Sequence, residues 1–238
     1  MIVRAIRTSF FKENGDLFAF IRKHVPKLKE GSILAVTSKI VALSEGRVTD
    51  PRDKEKIIKK ESAWALRTHK EWWWTEKDGM LLVNAGVDES NAGGKLILLP
   101  NDSFVTARAV RSNLLQNYKI TKLGVIVTDS RISPMRAGVT GLALGYAGFR
   151  GARDYRGKKD LFGRKLKVTK TDVADSLATA AALVMGEGAE QQPLAVIEDA
   201  PVEFTEKVNR REVEISAKDD MYAPLFKRFA RSKGSRRK

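Results

Sequence analysis

Three carboxylates stand where a chain could gather them around a cation. Asp88 lies in "NAGVDESNAGG" behind a hydrophobic run, Asp129 in "TDSRISPMRAG" behind another, and Glu187 closes an alanine-rich helical segment. Carboxylates projecting from element ends into a shared cleft hold magnesium or manganese, with water and substrate phosphate completing the octahedron. An acid at a strand end is also a plain turn former, so the surroundings carry weight. Both loops mix small residues with hydroxyls or amides that can bond a polar ligand. Glu187 sits against its own helix dipole, which is unfavourable unless a cation or a donor compensates.

The elements that must position these acids can be read from hydrophobic periodicity. "SILAVTSKIVALS", Ser32 to Ser44, reads as a strand running into a turn closed by "EGR". Before it, "NGDLFAFIRKHVPKLKEG" reads as a short helix with Asp16 near its start and Gly31 past its end. After it, "DPRDKEKIIKKESAWALR" reads as a solvated amphipathic helix including Ile57, Ile58, Ala65 and Leu66. "GMLLVNAG", "KLILLP", "KLGVIVTDS" and "VTGLALGYAGF" are strand-like, and "NDSFVTARAVRSNLLQNY" is a helix capped by Asp102 or Ser103. "TDVADSLATAAALVMGEG" is the strongest helix, capped by Thr171, with Val173, Leu177, Ala181 and Val184 on one apolar face. The strand "PLAVIED" and the amphipathic piece "MYAPLFKRFARS" follow. Strands and helices do not alternate as βαβ units, so the expected class is α+β.

Composition bounds the chemistry. The 238 residues are 42% hydrophobic and 31% charged, the profile of a globular chain. Without cysteine there is no disulfide, thiolate metal site or cysteine nucleophile. His24 and His69 lack metal-type spacing and read as ordinary surface or helix residues. Neither a leader nor an apolar run of membrane length is expected, so a cytoplasmic protein is. Of the net charge of +15, seven units come from the last twelve residues, "KRFARSKGSRRK". That splits the chain into a domain over 1–220 and a basic tail over 221–238 that either binds an anionic polymer or is merely solvated. No Walker or GxGxxG phosphate loop is present, and the glycines Gly141, Gly145 and Gly148 mark either close ligand approach or bulges.

The succession "TSKIVALSEGRV", "NAGVDESN", "LLPNDSFVTARAVR", "GVIVTDSRISPMRAGVTGLALGYAGF" and "DYRGKKDLFGRKLKVTKTDVADSLATAAALVMGEGAE" resembles the γ-glutamyl ligases of the deazaflavin coenzyme F(420) pathway. The resemblance covers about residues 1 to 200 in one collinear order. It implies an unusual α+β fold with mixed, largely antiparallel sheets and packed helices. The implied activity is a GTP- or ATP-dependent ligase joining L-glutamate through a γ-linkage to an acceptor carboxylate, in a cytoplasmic homodimer using Mg2+ or Mn2+ and helped by K+. By motif match Asp88, Asp129, Ser130 and Glu187 are implied at the divalent metal. Ser38, Lys39, Asn91, the Met185 to Gln192 loop with Gly186, Gly188 and Ala189, and the turn of Thr8, Ser9, Phe10 and Phe11 are implied at the nucleotide. Lys39, Asp88, Asp129 and Glu187 then form the catalytic group, with Arg131 or Arg136 as further cations.

A carboxylate is a poor acylating agent, so amide formation in water calls for activation as an acyl phosphate. Two departures from the family pattern stand out. Leu43 occupies the place of a second lysine, which puts GTP preference in question, and "LAVIEDAPVEF" is acidic where the family has a hydrophobic strand closed by arginine and glycine. Trp72 to Trp74 in "HKEWWWTEKDG" are either partly buried with one exposed ring or a stacking surface for a flat heterocycle, deazaflavin or pterin. A folate-type acceptor is therefore a rival within the same chemistry, and a nucleic-acid-binding protein on a ligase-like fold is the rival from another class.

Overall fold

The computed structural model describes residues 1–68 and 71–224. His69 and all but the first four residues of the basic tail lie outside them. In chain order the elements are β1 (Ile2–Ile6), α1 (Leu17–His24), β2 (Ser32–Thr37), α2 (Ser38–Ser44), β3 (Val48–Thr49), α3 (Lys54–Lys60), β4 (Trp64–Arg67), β5 (Trp73–Lys77) and β6 (Met80–Val83). They continue with β7 (Leu96–Ile97), α4 (Ser103–Tyr118), β8 (Leu123–Ile132), β9 (Val139–Ala147), β10 (Ala152–Asp154), β11 (Lys170–Asp172), α5 (Val173–Met185) and β12 (Leu194–Glu198).

The main sheet has the order β1-β12-β2-β8-β9, with only β2 and β8 parallel. This is the mixed, largely antiparallel α+β arrangement expected. β2 and β12 are buried along nearly their whole length, because helices cover both faces of the sheet. On one face Leu34, Val36, Val125 and Val127 pack with Ile21 of α1 and Val110 and Leu114 of α4. On the other, Ile33, Ile126 and Ile197 pack with Leu177, Ala178 and Ala181 of α5. A smaller sheet, β4-β5-β6, feeds the chain into the Asp88 loop.

Several elements differ from their sequence reading for identifiable reasons. "SKIVALS" is the helix α2 rather than a strand entering a turn, its first residue following β2 without a break. Helix α1 stops at His24 before Val25 and Pro26, since a residue preceding proline avoids the helical region, so it ends well short of Gly31. Helix α3 ends at Lys60, and Ala65 and Leu66 belong to β4, where they pair with β5. The cap of α5 is Asp172, which accepts from the Asp175 N–H, and not Thr171. The buried face of α5 is Ala174, Leu177, Ala178, Ala181 and Met185, while Val184 is 37% exposed.

The glycines of β9 serve helix contact. An added Cβ on Gly141 would stand 2.3 Å from the Ala178 carbonyl oxygen, and one on Gly145 would stand 2.5 Å from the Phe104 nitrogen. These positions let α5 and α4 lie directly on the strand. Helix α1 owes its start to Asp16, whose carboxylate accepts from the Ala19 N–H at 3.0 Å. Asp16→Ala is expected to cost about 1 kcal/mol, read as a drop of about 2–4 °C in thermal unfolding. An unchanged melting temperature would remove the cap from the account.

Candidate active site

The carboxyl end of parallel strands β2 and β8 opens onto a cavity of about 640 Å3. Thr37, Lys39 and Ile40 contribute from the β2–α2 junction, and Thr128, Asp129 and Ser130 from β8. The β8–β9 ladder slips by one residue between Val127 and Thr128, leaving Leu144 without a direct partner. The extra residue makes β9 the bulged strand, and such bulges bend the strand that carries them, here opposite the step that precedes Asp129 in β8.

Every residue implied at the metal or the nucleotide except Ser38 lines this cavity. The Thr8–Phe11 turn, Lys39, Asp88, Asn91, Asp129, Ser130, Glu187 and the segment 185–192 come together from positions up to 184 residues apart. Ser38 is buried behind the wall, with its hydroxyl directed to the Asp129 carboxyl. Thr8 is tied to Gln191 twice, by its N–H to the Gln191 carbonyl at 3.0 Å and by the Gln191 amide to its own carbonyl at 2.8 Å. The Asn91 amide donates to the Gly188 carbonyl at 3.1 Å, joining two walls.

Each acid has its own partners. Asp88 Oδ2 is 2.8 Å from Lys39 Nζ, and Asp88 also accepts from the Ser90 N–H at 2.7 Å and the Ser90 hydroxyl at 2.8 Å. Burial opposes ionisation of Asp88, but the Lys39 ammonium and the Ser90 donors together hold its carboxyl below the usual range. Asp129 keeps one edge on the cavity and is otherwise surrounded by protein. Burial, reinforced by the charge of Asp88, pushes it up to about 7 despite the Ser130 N–H, Lys39 and the Ser38 hydroxyl. Glu187 accepts from the Ser130 hydroxyl at 2.6 Å, the compensating donor that its place at the end of α5 demanded.

Among the described residues no three acids or histidines form a cluster that could hold a metal ion as their side chains stand. The donor set nevertheless fits a hard cation. Asp88, Asp129, Glu187 and Ser130 supply only oxygen, and burial together with the charge of Asp88 pushes the Asp129 carboxyl up to about 7, a penalty on its ionisation that a bound cation would relieve. A further lining carboxylate, Glu190, accepts from the Gly188 N–H at 2.8 Å.

Other expectations resolve differently. Arg131 pairs with Asp175 at the start of α5, 2.9 Å away, and neither Arg131 nor Arg136 lines the cavity. Leu43 does line it. Trp73 is buried, with Lys59 Nζ 4.8 Å from its ring centroid, whereas Trp72 is 54% exposed. None of Trp72, Trp73 and Trp74 lines the cavity, so they are no stacking surface there. The exposed ring on the cavity is Phe10, at 83%.

His24 is more than an ordinary helix residue. Its Nε2 lies 3.0 Å from the Ser9 hydroxyl, and its ring packs at a tilt against Phe20, which meets Phe11 edge to face. Partial burial, then the charge of Lys23, lowers its pKa, so the imidazole is neutral and can accept. It thus anchors the turn that carries Phe10. Nothing in the local pattern signals this, because Ser9 and His24 are brought together only by packing of α1.

Residues 48–199 match the family described as F420-0:Gamma-glutamyl ligase. A protein of Methanopyrus kandleri named coenzyme F420:L-glutamate ligase is 36% identical over 204 residues, covering 76% of this chain and 80% of its own length. Proteins of the same name from Methanocaldococcus jannaschii and Archaeoglobus fulgidus are 34% identical, covering 81% and 78% of this chain and 78% and 82% of their own lengths. The protein is accordingly an enzyme of the amide-bond-forming ligase class. The chain belongs to the F420-0:Gamma-glutamyl ligase family.

Proposed function

We propose that the protein adds L-glutamate through its amine to a carboxylate of a deazaflavin acceptor of the F420-0 type, with hydrolysis of GTP or ATP and through an acyl phosphate. The carrying observation is the convergence of Asp88, Asp129, Glu187 and Lys39 on one cavity large enough for a nucleotide. The acceptor carboxylate oxygen attacks the γ-phosphorus, and the bond from that phosphorus to the diphosphate oxygen breaks. The glutamate amine then attacks the acyl carbon, phosphate leaves, and the nitrogen loses a proton. Both substrates and the nucleotide are anions, so their approach needs neutralising charge.

Asp88, Asp129 and Glu187, with Ser130, would hold Mg2+ or Mn2+, which when bound supplies charge neutralisation for the phosphoryl group. Lys39 and Asn91 contact the nucleotide, with the 185–192 segment beside it. The Thr8–Phe11 turn, pinned by Gln191 and His24, presents Phe10 at the mouth. K+ as a second ion, a homodimeric state and a cytoplasmic location belong to the same reading. Among the described residues no helix is long and apolar enough to cross a membrane. A cavity lined by four carboxyl groups favours this reading over nucleic-acid binding, since it would repel a polyphosphate lacking a cation.

The test is a panel. Purified protein with Mg2+, L-glutamate and either nucleotide is expected to release phosphate only when a deazaflavin acceptor is added, in step with amide formation. A folate acceptor in parallel decides between the two heterocycles. Absence of acceptor-dependent phosphate with every acceptor and both nucleotides would refute the ligase reading.

A further inference from the structure

Lys39 has no free donor in the position it occupies. Its Nζ is 2.8 Å from Asp88 Oδ2, 2.8 Å from the Ser90 carbonyl oxygen and 2.9 Å from the Ser90 hydroxyl. An ammonium group has three protons, and all three point into the Asp88 loop. Asp88 is equally engaged, since the oxygen facing Lys39 also takes the Ser90 hydroxyl proton and its other oxygen takes the Ser90 N–H.

These contacts conflict with the roles read for the two residues. Asp88 cannot offer Oδ2 to a divalent cation while Lys39 sits on it, and Lys39 cannot reach a phosphate oxygen while its protons are committed to Asp88 and Ser90. One movement of Lys39 meets both demands. We propose that Lys39 is an exchangeable internal cation: it holds the Asp88 loop until a divalent ion takes Asp88, and it then passes to the nucleotide phosphates. The inference rests on the ligase reading of the cavity.

Charge balance explains why the exchange is coupled. Asp88 and the enclosed Asp129 lie close enough for the charge of one to disfavour ionisation of the other, and Lys39 is the cation beside both. Removing Lys39 without replacement leaves two acids facing each other. A divalent ion and Lys39 on the same oxygen would repel. The departing lysine therefore needs a metal behind it and an anion ahead of it, which makes metal and nucleotide bind with positive cooperativity, each raising the affinity of the other by the same factor.

Mn2+ binding measured by calorimetry, without turnover, tests this. Without nucleotide, Lys39→Met is expected to bind Mn2+ about tenfold more tightly than wild type, a difference of about 1.4 kcal/mol. A non-hydrolysable triphosphate should tighten Mn2+ binding to wild type and lose most of that effect in Lys39→Met. Ser90→Ala changes no charge but removes one hydrogen bond from Lys39 and one from Asp88 Oδ2, so it should tighten Mn2+ binding about threefold, which loss of charge alone would not produce. Lys39→Arg, which keeps the cation, should stay near wild type. If Mn2+ binds but Lys39→Met and Ser90→Ala bind it no more tightly than wild type, the exchange is overturned and the cation site stands. If Mn2+ binding is indifferent to Asp88→Asn, the cation site itself falls and the exchange with it.

Discussion

Asp129→Asn is expected to lower kcat by at least about a thousandfold while raising the melting temperature at pH 8 by several degrees. The two signs follow from one cause. Asp129 is mostly enclosed, close to Asp88, and its pKa is raised to about 7. The unfolded value is near 3.8, so between about pH 4 and pH 7 the folded protein binds a proton that the unfolded chain does not. Stability from this group is complete below pH 4 and is lost as pH rises through 7. Asparagine has no charge to desolvate and can still accept the Ser130 N–H that Asp129 takes at 2.9 Å. The variant should therefore lose the decline in stability across that window. A bound cation would do the same for wild type by compensating the carboxylate.

The same proton makes cation binding depend on pH. Metal must displace it, so Mn2+ affinity in wild type is expected to rise about tenfold per pH unit below 7 and to level off above. Asp129→Asn should bind weakly and with a flat pH profile. A variant that is both fully active and no more stable at pH 8 would show that Asp129 is an ordinary turn acid. Sites that hold uncompensated buried charge trade stability for function, and this trade is what the pair of measurements exposes.

Gly141→Ala is expected to cost about 3 kcal/mol, the upper part of the usual range for overpacking, and to lower the melting temperature by about 6–12 °C. The added methyl would stand 2.3 Å from the Ala178 carbonyl oxygen and 2.6 Å from the Thr179 nitrogen, both backbone atoms of α5. A side chain could rotate away, but a helix backbone can yield only by moving as a body. That movement displaces the end of α5, where Met185 and Glu187 line the cavity, and breaks the 3.1 Å hydrogen bond from the Thr179 hydroxyl to the Gly141 carbonyl. Activity should fall further than the loss of folded protein explains. Unchanged thermal unfolding would mean that β9 and α5 separate at little cost.

Much of this architecture is legible in the chain itself. The strands β6, β8, β9 and β12 are marked by apolar runs, α5 by its apolar face and α4 by its acidic cap Asp102, signals that are local and survive any context. The motif order likewise carries the family, and the acids stand out because each follows an apolar run, although Asp129 proves to lie inside β8, which pairs with β9 as far as Ile132. Weak local signals failed where pairing decides the outcome. Ala65 and Leu66 are strand because β5 lies beside them, and "SKIVALS" is helix because β2 delivers it to the sheet's carboxyl end.

Composition and pattern by themselves excluded thiol chemistry, pointed to an α+β class, and marked Asp88, Asp129 and Glu187 as candidate oxygen donors, while motif order carried the family and with it the expected role of Lys39. Only the tertiary structure decided that these groups share a cavity, that Arg131 is spent on Asp175 rather than on substrate, and that the exposed aromatic ring at the mouth is Phe10. It also decided that Lys39 rests on Asp88 and that burial pushes the Asp129 carboxyl up to about 7. Ionisation depends on burial and on charges within a few ångströms. Those neighbours arrive from elements dozens of residues away, and no local pattern encodes that distance.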